Sequence, residues 1–184
     1  MTTIAYRNGV IAADSRTTLE TEGGGARMFL CEKLFRKIVT LNGVEQEVII
    51  ATAGESSPGM VFVDWYGSGK DAPVDTFLTG EADFTCLVLQ RDGLWEFDAY
   101  CRGIKILDEF YSVGSGAKAA LAAMHMGASA AKAVEIACRI DHYSGPPVTA
   151  MRLSNGKPKV RLPKVRKEPD ARPESPVGEA TLGV

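Results

Sequence analysis

Apolar and polar positions change rhythm several times along the chain. The first sixteen residues, MTTIAYRNGVIAADSR, open from Thr3 as a stretch with strand character. Asn8-Gly9 supplies the two positive-φ positions of a tight hairpin, and Val10-Ile11-Ala12-Ala13 returns to Asp14. Ser15 to Thr18 leads into a loop at Gly23-Gly24-Gly25. Glu32 to Val39 alternates as a strand, Asn42-Gly43 turns it, and Val44 to Ala53 runs back with a buried-looking centre at Val48 to Ala51. Ser57-Pro58 predicts a helix start, with an acceptor at the N-cap and proline at the first helical position. Met60, Val61, Val63 and Trp65 would form its buried face, and Gly67-Ser68-Gly69 its end. Residues 70–82 are polar and poorly periodic and read as loop, with a short helix as the alternative. Phe84 to Leu89 and Leu94 to Tyr100 form a hairpin around Asp92-Gly93, and Ile104 to Leu107 adds a strand. Phe110 to Val113 enters Gly114-Ser115-Gly116, then an alanine-rich helix runs from Ala117 to Met126 and stops at Gly127. Ser129 caps a second helix reaching Ile140, with Ala133, Val134, Ile136, Ala137 and Ile140 as core contacts. Val148 to Leu153 is a strand, Asn155-Gly156 a turn, and Lys159 to Leu162 the return strand.

This order is strands, one helix, strands, two helices, strands. Antiparallel hairpins with segregated helices imply an α+β architecture in which helical layers cover sheets. From Pro163 the chain loses periodicity and gains proline and charge, so the expected organisation is one domain over 1–162 and a weakly ordered tail over 163–184. A length of 184 residues suits one well-packed domain. A net charge of -2 provides no global field for nucleic acid or an anionic membrane. No apolar run approaches the roughly 20 residues of a membrane span, and no secretory signal is evident, so a cytoplasmic protein is expected. The cysteines at 31, 86, 101 and 138 are scattered, with only His125 and His142 as further soft ligands, so reduced thiols and no zinc site are expected.

Three motifs invite stronger readings. Gly67-Ser68-Gly69-Lys70 lacks the frame of a phosphate loop, which would require glycine at Asp64 and serine or threonine at Asp71. His142 beside Asp141 lacks a third triad member and reads as structural or exposed. Lys157 to Lys167 carries six of the chain's 21 basic residues, but no aromatic residues interleave for base stacking, and acids follow.

The first hairpin brings Asp14 back near Thr2. A threonine hydroxyl is a weak nucleophile, but a threonine at a chain terminus carries its own base. An unperturbed α-amino group has a pKa of about 7.7–8.0, so roughly a third is neutral at pH 7.5. It can take the hydroxyl proton directly or through water. Removing Met1 would expose that amine on Thr2. Lys33, if it points at the Thr2 hydroxyl, would favour a developing alkoxide, and Asp14 would hold it.

These residues resemble the proteasome β-type subunits and their bacterial relatives, the N-terminal-nucleophile threonine peptidases. The resemblance lies in Thr2-Thr3-Ile4, Gly9 to Arg16, Lys33-Leu34-Phe35, Ala53-Gly54, Val113 to Gly116, and Asp141 with Ser144-Gly145, spaced along about 160 of the 184 residues. The opening Met-Thr-Thr-Ile is similar to the short bacterial members. The resemblance implies a four-layer αββα sandwich of two antiparallel sheets flanked by helices. It implies Thr2 as nucleophile, Asp14 and Lys33 as the supporting ion pair, and the Gly54 N–H as oxyanion donor. Ser115, Asp141 and Ser144 would surround the terminal amine and its water. Thr18 would lie where an extended substrate pairs with the backbone. Thr17, Cys31, Phe35, Thr52, Ser56 and Met60 would line the first specificity pocket, which suggests an uncharged substrate side chain there.

The activity so implied is threonine endopeptidase action without metal or organic cofactor. It would occur in a homomeric double ring, expected as two heptamers, on peptides or unfolded proteins. An ATP-driven AAA+ unfoldase is an expected partner for folded substrates; nucleic acid and membrane are not. The alternatives are a stand-alone amidase of the same nucleophile class, a non-catalytic ring scaffold, and nucleic-acid binding through the tail.

Overall fold

In the computed structural model, residues 1–21, 24–68, 83–154 and 159–160 are described. The expected loop at 70–82, the Asn155-Gly156 turn and the tail from 163 lie outside the described residues. The strands are β1 (Thr3–Arg7), β2 (Val10–Ala13), β3 (Arg16–Thr21), β4 (Gly25–Leu30), β5 (Leu34–Leu41) and β6 (Val44–Gly54). After α1 (Ser56–Gly67) come β7 (Phe84–Gln90), β8 (Gly93–Phe97), β9 (Gly103–Ile106) and β10 (Phe110–Gly114). Helices α2 (Ala117–His125) and α3 (Ala130–Ile140) precede β11 (Thr149–Arg152) and β12 (Lys159–Val160).

One sheet has the order β10-β1-β2-β11, and the other is built on β12-β6-β7-β8-β9, with β5 also paired to β6. Every pairing among the described residues is antiparallel. The period of two along each strand sorts side chains into three apolar layers. Ile4, Ile11 and Ala13 meet Leu34, Ile49, Ala51, Leu87 and Leu89 between the sheets. Their neighbours Ala5 and Ala12 face outward onto α2 and α3, against Ala120, Met124, Ala133, Val134 and Ala137. Val48, Ile50, Cys86 and Val88 face the other way onto α1, against Phe62, Val63, Trp65 and Tyr66. Three apolar layers separate four structural ones, so the molecule is an αββα sandwich. The small residues on α2 and α3 let those helices lie close on the first sheet.

Two hairpin turns follow the sequence reading, since Asn8 and Gly9, like Asn42 and Gly43, all have positive φ, whereas in the third the turn is Arg91-Asp92 and Gly93 already belongs to β8, opposite Gln90. Four further expectations change. Residues 16–30 form a two-stranded ribbon of β3 and β4, with Arg16 opposite Leu30 and Thr21 opposite Gly25. Leu19, Met28, Phe29 and Leu30 are exposed on it. Helix α1 begins at Ser56 with Glu55 at the N-cap and no side-chain capping bond. Pro58 is therefore third in the helix, where the N–H it lacks would be unpaired anyway. Its buried face is Gly59, Phe62, Val63, Trp65 and Tyr66, while Met60 and Val61 are exposed. Helix α3 is capped by Ser129, which accepts from the Lys132 N–H, but Ile140 at its far end is exposed. Finally, β12 pairs with β6 in the second sheet and not with β11.

Candidate active site

The first hairpin delivers Asp14 as expected. Strands β1 and β2 pair Ile4 with Ala13, and the next rung is closed by the Asp14 N–H donating to the Thr3 carbonyl at 3.1 Å. The Asp14 carboxylate turns inward, and its side chain is 0% exposed. Four donors converge on it. Oδ1 accepts from the Thr3 N–H at 2.9 Å and from Lys33 Nζ at 2.9 Å. Oδ2 accepts from the Arg16 N–H at 3.1 Å and the Gly145 N–H at 2.9 Å. A buried carboxylate needs such compensation, since desolvating it unpaired costs several kcal/mol.

Lys33 lies one residue before β5, and its side chain is 4% exposed. Besides Asp14, its ammonium donates to the Arg16 carbonyl and, at 3.3 Å, to the Met1 carbonyl. The Thr2 hydroxyl donates to that same Met1 oxygen at 2.7 Å. Thr2 is buried, and its hydroxyl and the Lys33 ammonium therefore share an acceptor on one carbonyl. The lysine is thus oriented toward Thr2 and away from solvent.

A second group closes on Thr2 from the helical side. Ser115 Oγ and Ser144 Oγ each donate to Asp141 Oδ2 at 2.6 Å. Ser115 Oγ also reaches the Thr2 carbonyl at 3.4 Å, and Ser144 Oγ shares a 2.6 Å hydrogen bond with Thr3 Oγ1. Asp141 is the C-cap of α3, and Ser115 stands just before α2. Burial pushes the Asp141 carboxyl up, but bonds from Ser115, Ser144 and the Tyr143 N–H, with the nearby His142, outweigh burial and hold it below its ordinary value. Gly114, which ends β10, has φ +93°. A Cβ there would lie 2.0 Å from the Thr2 carbonyl oxygen. Only glycine permits this approach.

The remaining predicted positions divide. Thr17 Oγ1 and Cys31 Sγ are 2.7 Å apart, at the root of the β3–β4 ribbon. Thr52 donates its N–H to the Lys33 carbonyl at 3.2 Å, and its side chain lies against Gly59 of α1. Phe35 packs into the layer beneath α1. Ser56 and Met60 are exposed on the first turns of α1. Thr18 pairs with Met28 across the ribbon, and its hydroxyl oxygen is buried without a hydrogen-bond partner among the described residues. Gly54 ends β6, exposed and opposite Phe84. His142 is exposed, its ring edge-on to Tyr143 at 5.4 Å.

Three participants carry no role in the sequence reading: Thr3, Arg16 and Gly145. Each adjoins a residue that does; apart from the local bond of the Arg16 N–H to Asp14 two positions away, their bonds reach partners 11 to 141 positions distant in the chain. No local pattern encodes such a partner.

No protein-family model matches the sequence, and no curated protein matches it. Solved structures do. BPH from Thiobacillus denitrificans aligns with 22% identity over 84% of this chain and 99% of that one, at a TM-score of 0.54. The same protein in complex with epoxomicin aligns with 21% identity over 83% and 98%, at 0.54. Eukaryotic HslV from Trypanosoma brucei aligns with 19% identity over 81% and 97%, at 0.55. The chain therefore has the αββα sandwich fold of BPH and HslV, the fold that the sequence resemblance implied.

Proposed function

We propose that this chain is a threonine-type endopeptidase subunit whose nucleophile is Thr2 once its amine is free. The observation that carries the reading is the single carbonyl oxygen, that of Met1, bonded by both the Thr2 hydroxyl and the Lys33 ammonium. A buried ammonium beside a hydroxyl is of little use to a resting strand, but it stabilises an alkoxide.

With Met1 removed, the Thr2 amine accepts the hydroxyl proton, and Oγ1 attacks a substrate carbonyl carbon. Lys33 stabilises the oxygen as it loses that proton, while Asp14 keeps the ammonium in place. The Gly54 N–H is the proposed donor to the oxyanion. Collapse of the tetrahedral intermediate breaks the peptide bond, and the leaving amine takes a proton from the Thr2 ammonium. The acyl group is then an ester on Oγ1. Water, deprotonated by the same amine, attacks that ester and restores the hydroxyl. Ser115, Asp141 and Ser144 orient the amine and the water. Thr17, Cys31, Thr52 and Met60, with Phe35 and Ser56 nearby, form the pocket for an uncharged substrate side chain, and Thr18 marks the strand that pairs with substrate.

We further propose a homomeric double ring of two heptamers in the cytoplasm, acting on unfolded protein and supplied by an AAA+ unfoldase. The apolar side chains exposed on the β3–β4 ribbon favour assembly over the stand-alone amidase reading. Intact mass after treatment with an electrophilic peptide tests the chemistry. The expected result is loss of Met1 and one adduct per chain, with neither adduct nor peptide hydrolysis in Thr2→Ala. Retained hydrolysis in that variant would overturn the mechanism. A native mass of one or two chains would support the amidase instead.

A further inference from the structure

The site comes from two separate parts of the chain. Asp14 and Lys33 belong to the first hairpin and the approach to β5, whereas Asp141 and Ser144 belong to the turn after α3. Arg16 touches both. Its N–H donates to Asp14 Oδ2 at 3.1 Å, and its carbonyl accepts from Lys33 Nζ. Its guanidinium crosses to the turn, where Nη1 donates to the His142 carbonyl at 3.0 Å. The guanidinium also lies against Gly145. A Cβ built on Gly145 would be 2.4 Å from Nε, 2.5 Å from Cζ and 2.7 Å from Nη2. Gly145 is buried and itself donates to Asp14 Oδ2 and accepts from the Ser15 N–H. A planar guanidinium can occupy that position, while an ammonium on a flexible stem cannot cover the same area.

We propose that Arg16 is a positioning residue that holds the Asp141–Ser144 turn in register with the Asp14–Lys33 pair, and that Gly145 lacks a side chain in order to seat it. This rests on the peptidase reading for its catalytic consequence, but the mechanical link is independent of that reading. Arg16 does not touch the proposed nucleophile. Its effect runs through the turn that carries Ser144 onto Thr3 and, through Asp141, Ser115 onto the Thr2 carbonyl. A displacement of about 1 Å in a reacting constellation can reduce the rate on the order of 100-fold.

The test is a mutant cycle of Arg16→Ala, Gly145→Ala and the double variant, with Arg16→Lys as the conservative change. On a short uncharged peptide, Arg16→Ala should lower kcat by roughly 10- to 100-fold and change KM by less than about threefold. It should still form the full single adduct, only more slowly. Gly145→Ala should displace the guanidinium and reproduce this, and the double variant should be no slower than the worse single one. Arg16→Lys should recover the carbonyl contact but less than half of the lost rate on a logarithmic scale. Thermal midpoints of the wild type, the two alanine variants and the double variant should also be non-additive. Wild-type kcat in Arg16→Ala, or additive midpoint shifts across the cycle, would overturn the link. Failure of the wild type to hydrolyse or form an adduct defeats the peptidase reading alone, because the midpoint cycle still decides the role of Arg16.

Discussion

Asp14 and Lys33 form one ion pair, yet removing either partner should have unequal consequences. Breaking a buried pair by deleting one member costs about 3–5 kcal/mol. In Lys33→Met the carboxylate keeps three backbone donors, from Thr3, Arg16 and Gly145. The loss should sit near the lower end, about 3 kcal/mol. In Asp14→Ala the ammonium keeps, among the described residues, the carbonyl of Arg16 and, while Met1 is present, that of Met1, and two buried N–H groups and one half-buried one lose their acceptor as well. Each unsatisfied group costs about 1–3 kcal/mol, so the total is roughly 6 kcal/mol or more. That is comparable to the whole stability of an ordinary domain, about 5–15 kcal/mol. For a chain of 184 residues, 1 kcal/mol shifts the thermal midpoint by about 2–4 °C. Lys33→Met should therefore melt roughly 6–12 °C below wild type, and Asp14→Ala should be largely unfolded at 25 °C. Asp14→Asn, which keeps one carbonyl acceptor, should fall between them. Scanning calorimetry at one fixed protein concentration makes the comparison, since assembly would couple midpoint to concentration. If Asp14→Ala proves as stable as Lys33→Met, the four-donor account of Asp14 is wrong.

Two further outcomes are expected. The Asp141 carboxyl is held below its ordinary value, so its stabilising contribution is complete above the unfolded value of about 3.9 and fades as pH falls through the folded one. The gap in thermal midpoint between wild type and Asp141→Asn should thus narrow between pH 6 and pH 3; a widening gap would contradict the sign. Gly114→Ala and Gly9→Ala both place a side chain at positive φ, but only the first meets the Thr2 carbonyl, since a Cβ built on Gly9 has nothing within 4 Å of it among the described residues. Conformational strain of about 1–2 kcal/mol should lower the Gly9→Ala midpoint by roughly 2–8 °C with activity intact. Gly114→Ala should melt lower and lose peptide hydrolysis, measured on the same preparation.

The strands that enclose the central core were legible because their polarity period matches their geometry. Ile4 and Ala5, or Ile49 and Ile50, face opposite layers, as a period of two requires. The β3–β4 ribbon was not legible, since glycines and exposed apolar residues mask any alternation there. The face of α1 was misread because Phe62 and Tyr66, not Met60 and Val61, set its phase. The Asn-Gly signal before β12 specifies a turn but carries no information about which sheet the strand joins. Within the site, Asp14 was placed by a two-residue hairpin, a local device. The reach of Lys33 across to it, and the part taken by Arg16 and Gly145, depend on partners distant in sequence.

The Asp14–Lys33 pair has one further property: it bridges the two sheets of the sandwich. Asp14 follows β2 of one sheet, and Lys33 precedes β5 of the other. Ala13, which precedes Asp14, and Ala51, opposite Leu34, belong to the central layer between the sheets, as do Leu94, Tyr6 and Tyr111. A lysine stem is flexible but has a maximum reach, which limits how far apart the sheets may stand at this point while the ammonium still meets its carboxylate. Prying one sheet from the other would therefore pull on the 2.9 Å contact between Lys33 and Asp14.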